Sequence, residues 1–176
     1  MGLSIRDLRD SDVDALQRLL ESVPDYSQRV TGYPPGPSDA TSVLIMVPDG
    51  FDPAGKLAIG LWDDDELVAF ADVLIGYPDA ATAFIGLLVV AGDKHKQGLG
   101  RRLHDAVVAR ARDECGADGK LRLAIVDTNK AEAEPFWRAL GYAPTGEIRP
   151  YRYDNLKSSA ALWQRPVVKS ANRTVD

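Results

Sequence analysis

The sequence predicts a mixed α/β fold (an α+β arrangement), with a largely antiparallel sheet in its first half. Three observations lead to this prediction. An opening strand precedes two helical segments, a strand–turn–strand pair fills the middle of the chain, and strands alternate with helices only later. Strict alternation from the start would instead indicate a doubly wound parallel sheet. The length of 176 residues suits one domain, placed at residues 1–168, followed by a polar tail at 169–176.

The first 50 residues predict one strand and two helices around an irregular segment. Alternation over residues 4–8 indicates the strand, and apolar residues at helical spacing over 13–23 indicate a helix that Pro24 ends. Four prolines and two glycines within residues 24–38 favour an ordered or mobile surface loop. A short second helix is predicted from residue 38 or 39 to 46, with the serine or aspartate at its start as the cap.

The middle of the chain predicts a hairpin followed by a buried strand. Residues 57–62 and 67–75 are apolar, and three aspartates at 63–65 form the turn between them. Adjacent carboxylates repel one another unless an ion holds them, so a solvated turn is preferred to a metal site, and no metal is expected. Residues 83–90 are almost continuously apolar, which is typical of a strand that is buried on both faces.

The second half predicts two strand–helix units and a final pair of strands. A helix begins near Gly98 and ends at Gly116 or Gly119, with an apolar face at positions 99, 103, 106, 107 and 111. A strand is predicted at 121–127 and a helix at 129–140, which Gly141 ends. The last two strands are expected at 147–153 and 160–166.

Composition excludes several classes of function. A net charge of −5 and a pI of about 5.1 argue against nucleic-acid binding, which needs a basic face. Apolar runs are all shorter than a bilayer span, and the N-terminal residues lack the layout of a signal peptide, so no membrane partner is expected. Cys115 is the only cysteine, which favours a reducing, cytoplasmic setting and an inert thiol.

A glycine-containing loop joins the buried strand to the following helix. Gly98 and Gly100 let the backbone approach an anion closely, and the first N–H groups of a helix have no partner within the helix. Lys94 and Lys96, together with a pair of arginines, add positive charge. The loop therefore predicts a site for a pyrophosphate or a 3′-phosphate, although basic residues beside Gly-x-Gly are also often only a solvated face. It is neither a P-loop nor Gly-x-Gly-x-x-Gly.

Two motifs resemble those of the GNAT N-acetyltransferase superfamily. The stretch from Val90 to Arg101 resembles its motif Val-x-Pro-x-x-Arg/Gln-x-x-Gly-x-Gly/Ala, with Gly92 at the proline position and His95 at the Arg/Gln position. A later stretch, Asn129-x-Ala followed by Phe-Trp-Arg-Ala-Leu-Gly-Tyr at 136–142, resembles a second motif of the family. The resemblance implies a GNAT-like acyl-CoA-binding fold. Its mostly antiparallel central sheet is flanked by helices and contains two parallel central strands that splay apart.

The resemblance also implies acetyl-CoA as cosubstrate and assigns residues to it. Pantetheine would lie between the splayed strands 87–90 and 121–127, bonded to backbone groups of Leu88 and Val90. The Leu88 N–H would also face the developing oxyanion. The pyrophosphate would be held by His95 and by the loop amides of Lys96, Gln97, Gly98, Gly100, Arg101 and Arg102. Asn129 would reach the pantetheine arm, and it could equally cap the helix that follows it.

The same resemblance leaves the proton-transfer groups open. Many family members place a tyrosine at the position of Trp137, whose indole cannot give up a proton at neutral pH. Trp137 is therefore expected to pack against pantetheine or to belong to the core. Other phenols (Tyr142, Tyr151 and Tyr153) and the strand carboxylates Asp72 and Asp127 are candidates for acid and base, and a structural role is the commoner one for His104.

The predicted function is acetyl transfer from acetyl-CoA to the primary amine of a small molecule or peptide. Tyr26 and Tyr33, in the proline-rich segment, are predicted walls of the acceptor site. Two alternatives stay open, namely an acyl-CoA-binding sensor without turnover and an unrelated phosphate or nucleotide binder. Dimers are common in the family, so a homodimer is also among the partners that the resemblance implies.

Overall fold

A computed structural model of the protein describes residues 2–168, and the predicted tail at 169–176 lies outside the described residues. The chain forms a seven-stranded sheet in the order β1-β2-β3-β4-β5-β7-β6. The strands are β1 (Leu3–Asp7), β2 (Lys56–Asp63), β3 (Glu66–Ile75), β4 (Thr82–Val90), β5 (Lys120–Val126), β6 (Ala143–Tyr153) and β7 (Leu156–Pro166). The helices are α1 (Val13–Glu21), α2 (Pro24–Thr31), α3 (Asp39–Ile45), α4 (Leu99–Cys115) and α5 (Lys130–Ala139).

The mixed α/β prediction is confirmed, with one correction in the first half of the chain. Pro24 does end α1, but it also starts α2, where a loop was predicted. Proline is tolerated at the first position of a helix because the N–H that it lacks would have no partner there. The helix ends at Gly32, whose φ is +82°. The irregular segment is therefore confined to residues 33–38, which contain the other three prolines.

Apolar side chains fill both faces of the sheet. One cluster joins α4 and α5 to the sheet and includes Leu103, Val107 and Trp163, each almost fully buried. The other joins α1 and α3 to the opposite face and includes Leu16 and Phe70. Within residues 2–168, no helix is both long enough and apolar enough to cross a membrane.

The two central strands are parallel and diverge. Pairing between β4 and β5 runs only from Thr82 opposite Lys120 to Ile85 opposite Leu123. Beyond that point β4 stays paired with β3, while β5 stays paired with β7. The two halves of the sheet therefore separate, as the family resemblance implied, and a gap opens between 86–90 of β4 and 124–126 of β5.

Candidate functional site

A cleft of about 1120 Å³ begins in the gap between the splayed strands. Its walls are the divergent ends of β4 and β5, the loop at 92–98, the first turn of α4, one side of α5, and α2. A shallower depression of about 380 Å³ lies at the other end of β5 and β7 and contains none of the predicted site residues. The splayed cleft is therefore the candidate functional site.

The backbone of β4 directs polar groups into this cleft. The N–H of Ala91 donates to the carbonyl of Val68 at 2.9 Å, so Ala91 faces β3. In an antiparallel pair, alternate residues turn their N–H and C=O groups toward the partner strand and away from it. Leu88 and Val90 alternate with Ala91 along the strand, so their backbone N–H and C=O groups point away from β3 and toward the gap, where β5 no longer pairs with them.

The loop before α4 exposes further N–H groups at one end of the cleft. Lys96 and Gly98 have left-handed backbone angles, with φ of +62° and +77°. The N–H of Arg102 donates to the carbonyl of Gly98 at 3.1 Å, which is the first turn of the helix. The amides of Leu99, Gly100 and Arg101 consequently have no acceptor within the helix. The prediction that Arg102 contributes a free amide is wrong, because that amide belongs to this first turn.

Three glycines in the loop and the first turn of α4 are required for different physical reasons. A Cβ at Gly98 would meet nothing within 4 Å, so its positive φ and the open space around it matter. A Cβ at Gly100 would lie 3.0 Å from the Phe136 ring, so the absence of a side chain there lets α4 approach α5 closely. A Cβ at Gly92 would lie 2.2 Å from the carbonyl oxygen of Ser22, at the end of α1. This contact explains why glycine stands at the proline position of the family motif.

Three positively charged side chains line the loop end of the cleft, Lys94, Lys96 and Arg101, together with the His95 ring. The His95 ring folds back, and its Nε2–H donates to the Val90 carbonyl at 2.9 Å. The structure does not bring Gln97 or the Arg102 side chain to the cleft wall; both are exposed outside it. The positive charge is therefore contributed by fewer residues than the sequence suggested.

Asn129 lies on the cleft wall where β5 leads into α5. Its Oδ1 accepts a hydrogen bond from Arg29 Nε at 2.7 Å, and its side chain makes no capping bond to α5. Asn129 therefore occupies the N-cap position of α5, as the alternative predicted, but its side chain does not cap the helix. Because Arg29 holds the amide oxygen, the Asn129 Nδ2 donors are left without a hydrogen bond within residues 2–168. Arg29 Nε also lies 3.7 Å from a carboxylate oxygen of Glu132. Arg29 was not predicted as a site residue because it belongs to α2, where the sequence suggested a loop.

Trp137 belongs to the core and also lines the cleft, whereas its contact with pantetheine stays a prediction. Its ring is 9% exposed and packs edge-on against Phe136, Tyr142 and His104, with centroid separations of 4.9, 5.1 and 6.1 Å. The Tyr142 hydroxyl is 2.8 Å from His104 Nε2, and burial raises the pKa of Tyr142. Tyr142 thus points away from the cleft, and His104 has a structural role beside it.

The two tyrosines predicted for the acceptor site have different positions. Tyr26, on α2, is half-buried in the cleft wall, and burial raises its pKa to about 12. Tyr33 is outside the cleft: it is 43% exposed and hydrogen-bonds Asp154 in the β6–β7 turn. Tyr151 does not enter the cleft either, because its hydroxyl donates to the Val30 carbonyl at 2.5 Å. These contacts tie α2 to the hairpin instead of forming the site.

The two carboxylates predicted on strands also have different surroundings, since Asp72 lies on β3 but Asp127 begins a 3-10 turn after β5. Asp127 is more than half exposed and pairs with Lys130 at 3.1 Å on the surface. Asp72 has a side chain that is only 15% exposed and pairs with Lys56 at 2.6 Å. Burial raises the pKa of Asp72, and Lys56 partly opposes the shift. Of the two, Asp72 has the environment of a functional carboxylate.

Comparisons with known proteins agree with this geometry. The model of the acetyltransferase (GNAT) family matches residues 20–142. The ribosomal-protein-S18-alanine N-acetyltransferase from Escherichia coli has a TM-score of 0.67 at 20% identity, over 98% of both chains. An acetyltransferase from Thermus thermophilus has a TM-score of 0.67 at 22% identity, over 94% of this chain and 97% of its own. A GCN5-related N-acetyltransferase from Kribbella flavida has a TM-score of 0.67 at 22% identity, over 93% of this chain and 97% of its own.

At these identities the likeness to solved structures shows the fold alone. No curated protein matches the chain. The likeness covers almost the whole of each chain, so the overall fold is shared. The predicted GNAT-like fold is thereby confirmed.

Proposed function

Because the chain belongs to the acetyltransferase (GNAT) family, we propose that it transfers the acetyl group of acetyl-CoA to a primary amine by direct attack on the thioester. The observation that carries the proposal is the gap between β4 and β5. Backbone groups of β4 that β5 does not pair with line one side of it, although His95 donates to one of them, the Val90 carbonyl, and free helix amides lie at its end. A mostly apolar slot that ends at an anion site suits a pantetheine arm joined to a pyrophosphate.

The residues present fit such a molecule. The space around Gly98 is open, and the amides of Gly98, Leu99, Gly100 and Arg101 would hold the pyrophosphate, with Lys94, Lys96 and Arg101 adding charge. Leu88 and Val90 would bond the pantetheine through their backbone groups. Asn129 would donate to the same arm through Nδ2, since Arg29 holds its oxygen in place.

The chemistry that we assign to the protein is positioning and electrostatic stabilisation. The Leu88 N–H would donate to the thioester oxygen as that oxygen gains negative charge, and loss of one such donor costs on the order of 100-fold or more in other enzymes. Trp137 would pack beside the sulfur without transferring a proton. The leaving thiolate would therefore take its proton from solvent.

The acceptor amine would enter on the side of the cleft formed by α2. Tyr26 offers an aromatic face, and Asp25 and Glu132 offer carboxylates that would attract a cationic amine. This surface suits a small-molecule or peptide amine. The acceptor assignment moves from Tyr33, which bonds Asp154, to these residues of α2 and α5.

A binding-only function is the second candidate, and two observations favour it. Trp137 stands where many family members have a tyrosine, and the cleft-facing part of β4 (residues 86–90) contains no carboxylate. In that case the protein would bind acyl-CoA as a sensor or a partner domain. The homodimer implied by the resemblance stays a prediction for either function.

Two measurements test the proposal. Calorimetry with acetyl-CoA, CoA, ATP and NAD should give micromolar binding of the two CoA compounds only. A thiol-release assay should then give sustained turnover with at least one amine from a panel of arylalkylamines, spermidine, free amino acids and alanine-terminated peptides. CoA binding without turnover on any amine would leave the sensor function, and absence of CoA binding would overturn both.

A further inference from the structure

Asp72 lies at an irregularity between β3 and β4. Asp72 pairs with Leu87, but the next residue, Val73, pairs with Ile85. Gly86 is therefore the extra residue of a β-bulge, with no partner on β3. Gly86 is also exposed and lines the cleft just where the two central strands begin to diverge. The bulge thus places Asp72 directly behind the Gly86 backbone of the cleft wall.

The Asp72 carboxylate occupies the space that a side chain at position 86 would need. A Cβ built on Gly86 would lie 2.9 Å from Asp72 Oδ2. Any residue other than glycine would displace the carboxylate or change the bulge. Glycine therefore leaves the carboxylate next to the cleft with no side chain between them.

The two oxygens of Asp72 have different environments. Oδ1 accepts a hydrogen bond from Lys56 Nζ at 2.6 Å, and the same ammonium group donates to the Met46 carbonyl at 3.0 Å. Oδ2 has no hydrogen-bond partner within residues 2–168, and it is not among the atoms sealed from solvent there. The oxygen that faces Gly86 therefore keeps some exposure to solvent and is free to accept a proton.

Asp72 also lies on the face of the sheet where the acceptor would enter. Side chains alternate along a strand, so Asp72 shares a face with Phe70, which packs against α1 and α3. Lys56 of β2 is the one charge that shifts the pKa of Asp72; within residues 2–168, β4 and the end of α3 contribute none. Burial raises that pKa more than Lys56 lowers it, and a less acidic carboxylate is a better base near neutral pH.

We propose that Asp72 is the general base of the reaction, acting at the glycine bulge formed by Gly86. The inference rests on the proposed acetyl transfer. Asp72 Oδ2 takes one proton from the ammonium form of the bound amine, directly or through one water, and the neutral nitrogen then forms a bond to the thioester carbonyl carbon. The second proton that this nitrogen loses passes to solvent. The C–S bond breaks with its electron pair on sulfur, and the thiolate is protonated by solvent. Asp72 then releases its proton to solvent.

The test compares Asp72→Asn with Lys56→Met, because both changes break the same ion pair but only the first removes the carboxylate. Both variants are first checked by thermal unfolding and by CoA calorimetry. The substrate is the panel amine with the highest wild-type rate. We expect Asp72→Asn to lower kcat/KM about 100-fold or more at neutral pH, with CoA affinity unchanged. The loss should shrink at alkaline pH, where the amine is already deprotonated in solution.

Lys56→Met should keep the base but change its pKa. Activity requires the Asp72 carboxylate to be deprotonated, so the rate falls as the pH drops through its pKa. Lys56 lowers that pKa, and its removal should therefore move the acid limb of the kcat/KM profile to higher pH. This readout remains decisive if Asp72→Asn does not fold.

Two results would overturn the proposal. One is an Asp72→Asn enzyme that stays within about threefold of the wild type across the pH range. The other is an equal loss in both variants with the acid limb unmoved, which would make the ion pair a structural tie between β3 and the end of α3. Wild-type turnover is measured first, so that failure of acetyl transfer on every amine is distinguished from failure of Asp72 alone.

Discussion

The two ends of the cleft are built by different means. The phosphate end uses backbone groups: amides of the loop and of the first turn of α4, brought into place by positive φ angles at Lys96 and Gly98. The opposite end, from the pantetheine arm to the acceptor, uses side chains from distant parts of the chain, such as Arg29 on Asn129 and Lys56 on Asp72. Backbone conformation is local, whereas these side-chain contacts span 16 to 100 residues.

This difference separates what each end can tolerate. A backbone site depends on the conformations that its residues allow, so it should be sensitive to strain and insensitive to most changes of side-chain chemistry. A side-chain site should respond to single functional groups and should couple residues that touch. Each of the following substitutions tests one side of this contrast, in order of decreasing expected effect on the site.

Gly98→Val should weaken CoA binding the most. A β-branched residue at a φ of +77° is strained by about 1–3 kcal/mol, and its side chain would enter the open space before α4. We expect the Kd of CoA, measured by calorimetry, to rise about tenfold or more. Gly50→Val is the matched control, because Gly50 has the same φ and equally open surroundings outside the cleft. Equal losses of CoA affinity in the two variants would refute a backbone-built phosphate site.

Arg29→Met and Asn129→Ala should each weaken CoA binding by about three- to tenfold, since a hydrogen bond contributes about 1 kcal/mol. The double variant should bind no more weakly than Asn129→Ala, because Arg29 acts on the cofactor arm only through the Asn129 oxygen. Calorimetry on all four proteins gives the coupling. Arg149→Met, which removes an exposed arginine paired with Glu147 outside the cleft, should leave CoA affinity unchanged. If the losses of CoA affinity in the two single variants add up in the double variant, Arg29 does not act through Asn129.

Trp137→Phe should have the smallest catalytic effect. The indole is not a proton donor, so kcat should change by less than about threefold, with the alkaline side of the pH profile unchanged. Loss of buried ring contacts should still lower the free energy of unfolding by about 1–2 kcal/mol, or the Tm by about 2–8 °C. Trp163→Phe removes another buried indole, away from the cleft, and should match this loss of stability. A large, selective fall in kcat for Trp137→Phe would assign chemistry to the indole.

The same contrast explains how much of the molecule could be predicted from its sequence. Strands β2 to β5 and helices α4 and α5 follow from local patterns, and the loop at Gly98 follows from glycine spacing and charge. Helix α2 was missed because the prolines at 34, 35 and 37 suggested a longer loop. Pro24 followed by seven residues free of proline and glycine was the available signal.

The side-chain end of the cleft could not be predicted for a physical reason. The contact between Arg29 and Asn129 depends on where α2 packs, and the environment of Asp72 depends on a bulge that adds one residue to β4. Neither feature leaves a periodic signal in the sequence. Asp72 could be named as a candidate from its strand, but not preferred to Asp127, whose exposure only the fold reveals.

The contact of Gly92 with Ser22 has a consequence for how this protein can change over generations. The atom that a Cβ at position 92 would meet is a main-chain oxygen, so no replacement at position 22 can make room for it. No single substitution of Gly92 can therefore be compensated by a side-chain change at position 22. A lineage could acquire a proline at position 92 only by altering the end of α1, and with it the start of α2. The cofactor loop and the acceptor wall are thus inherited as one unit.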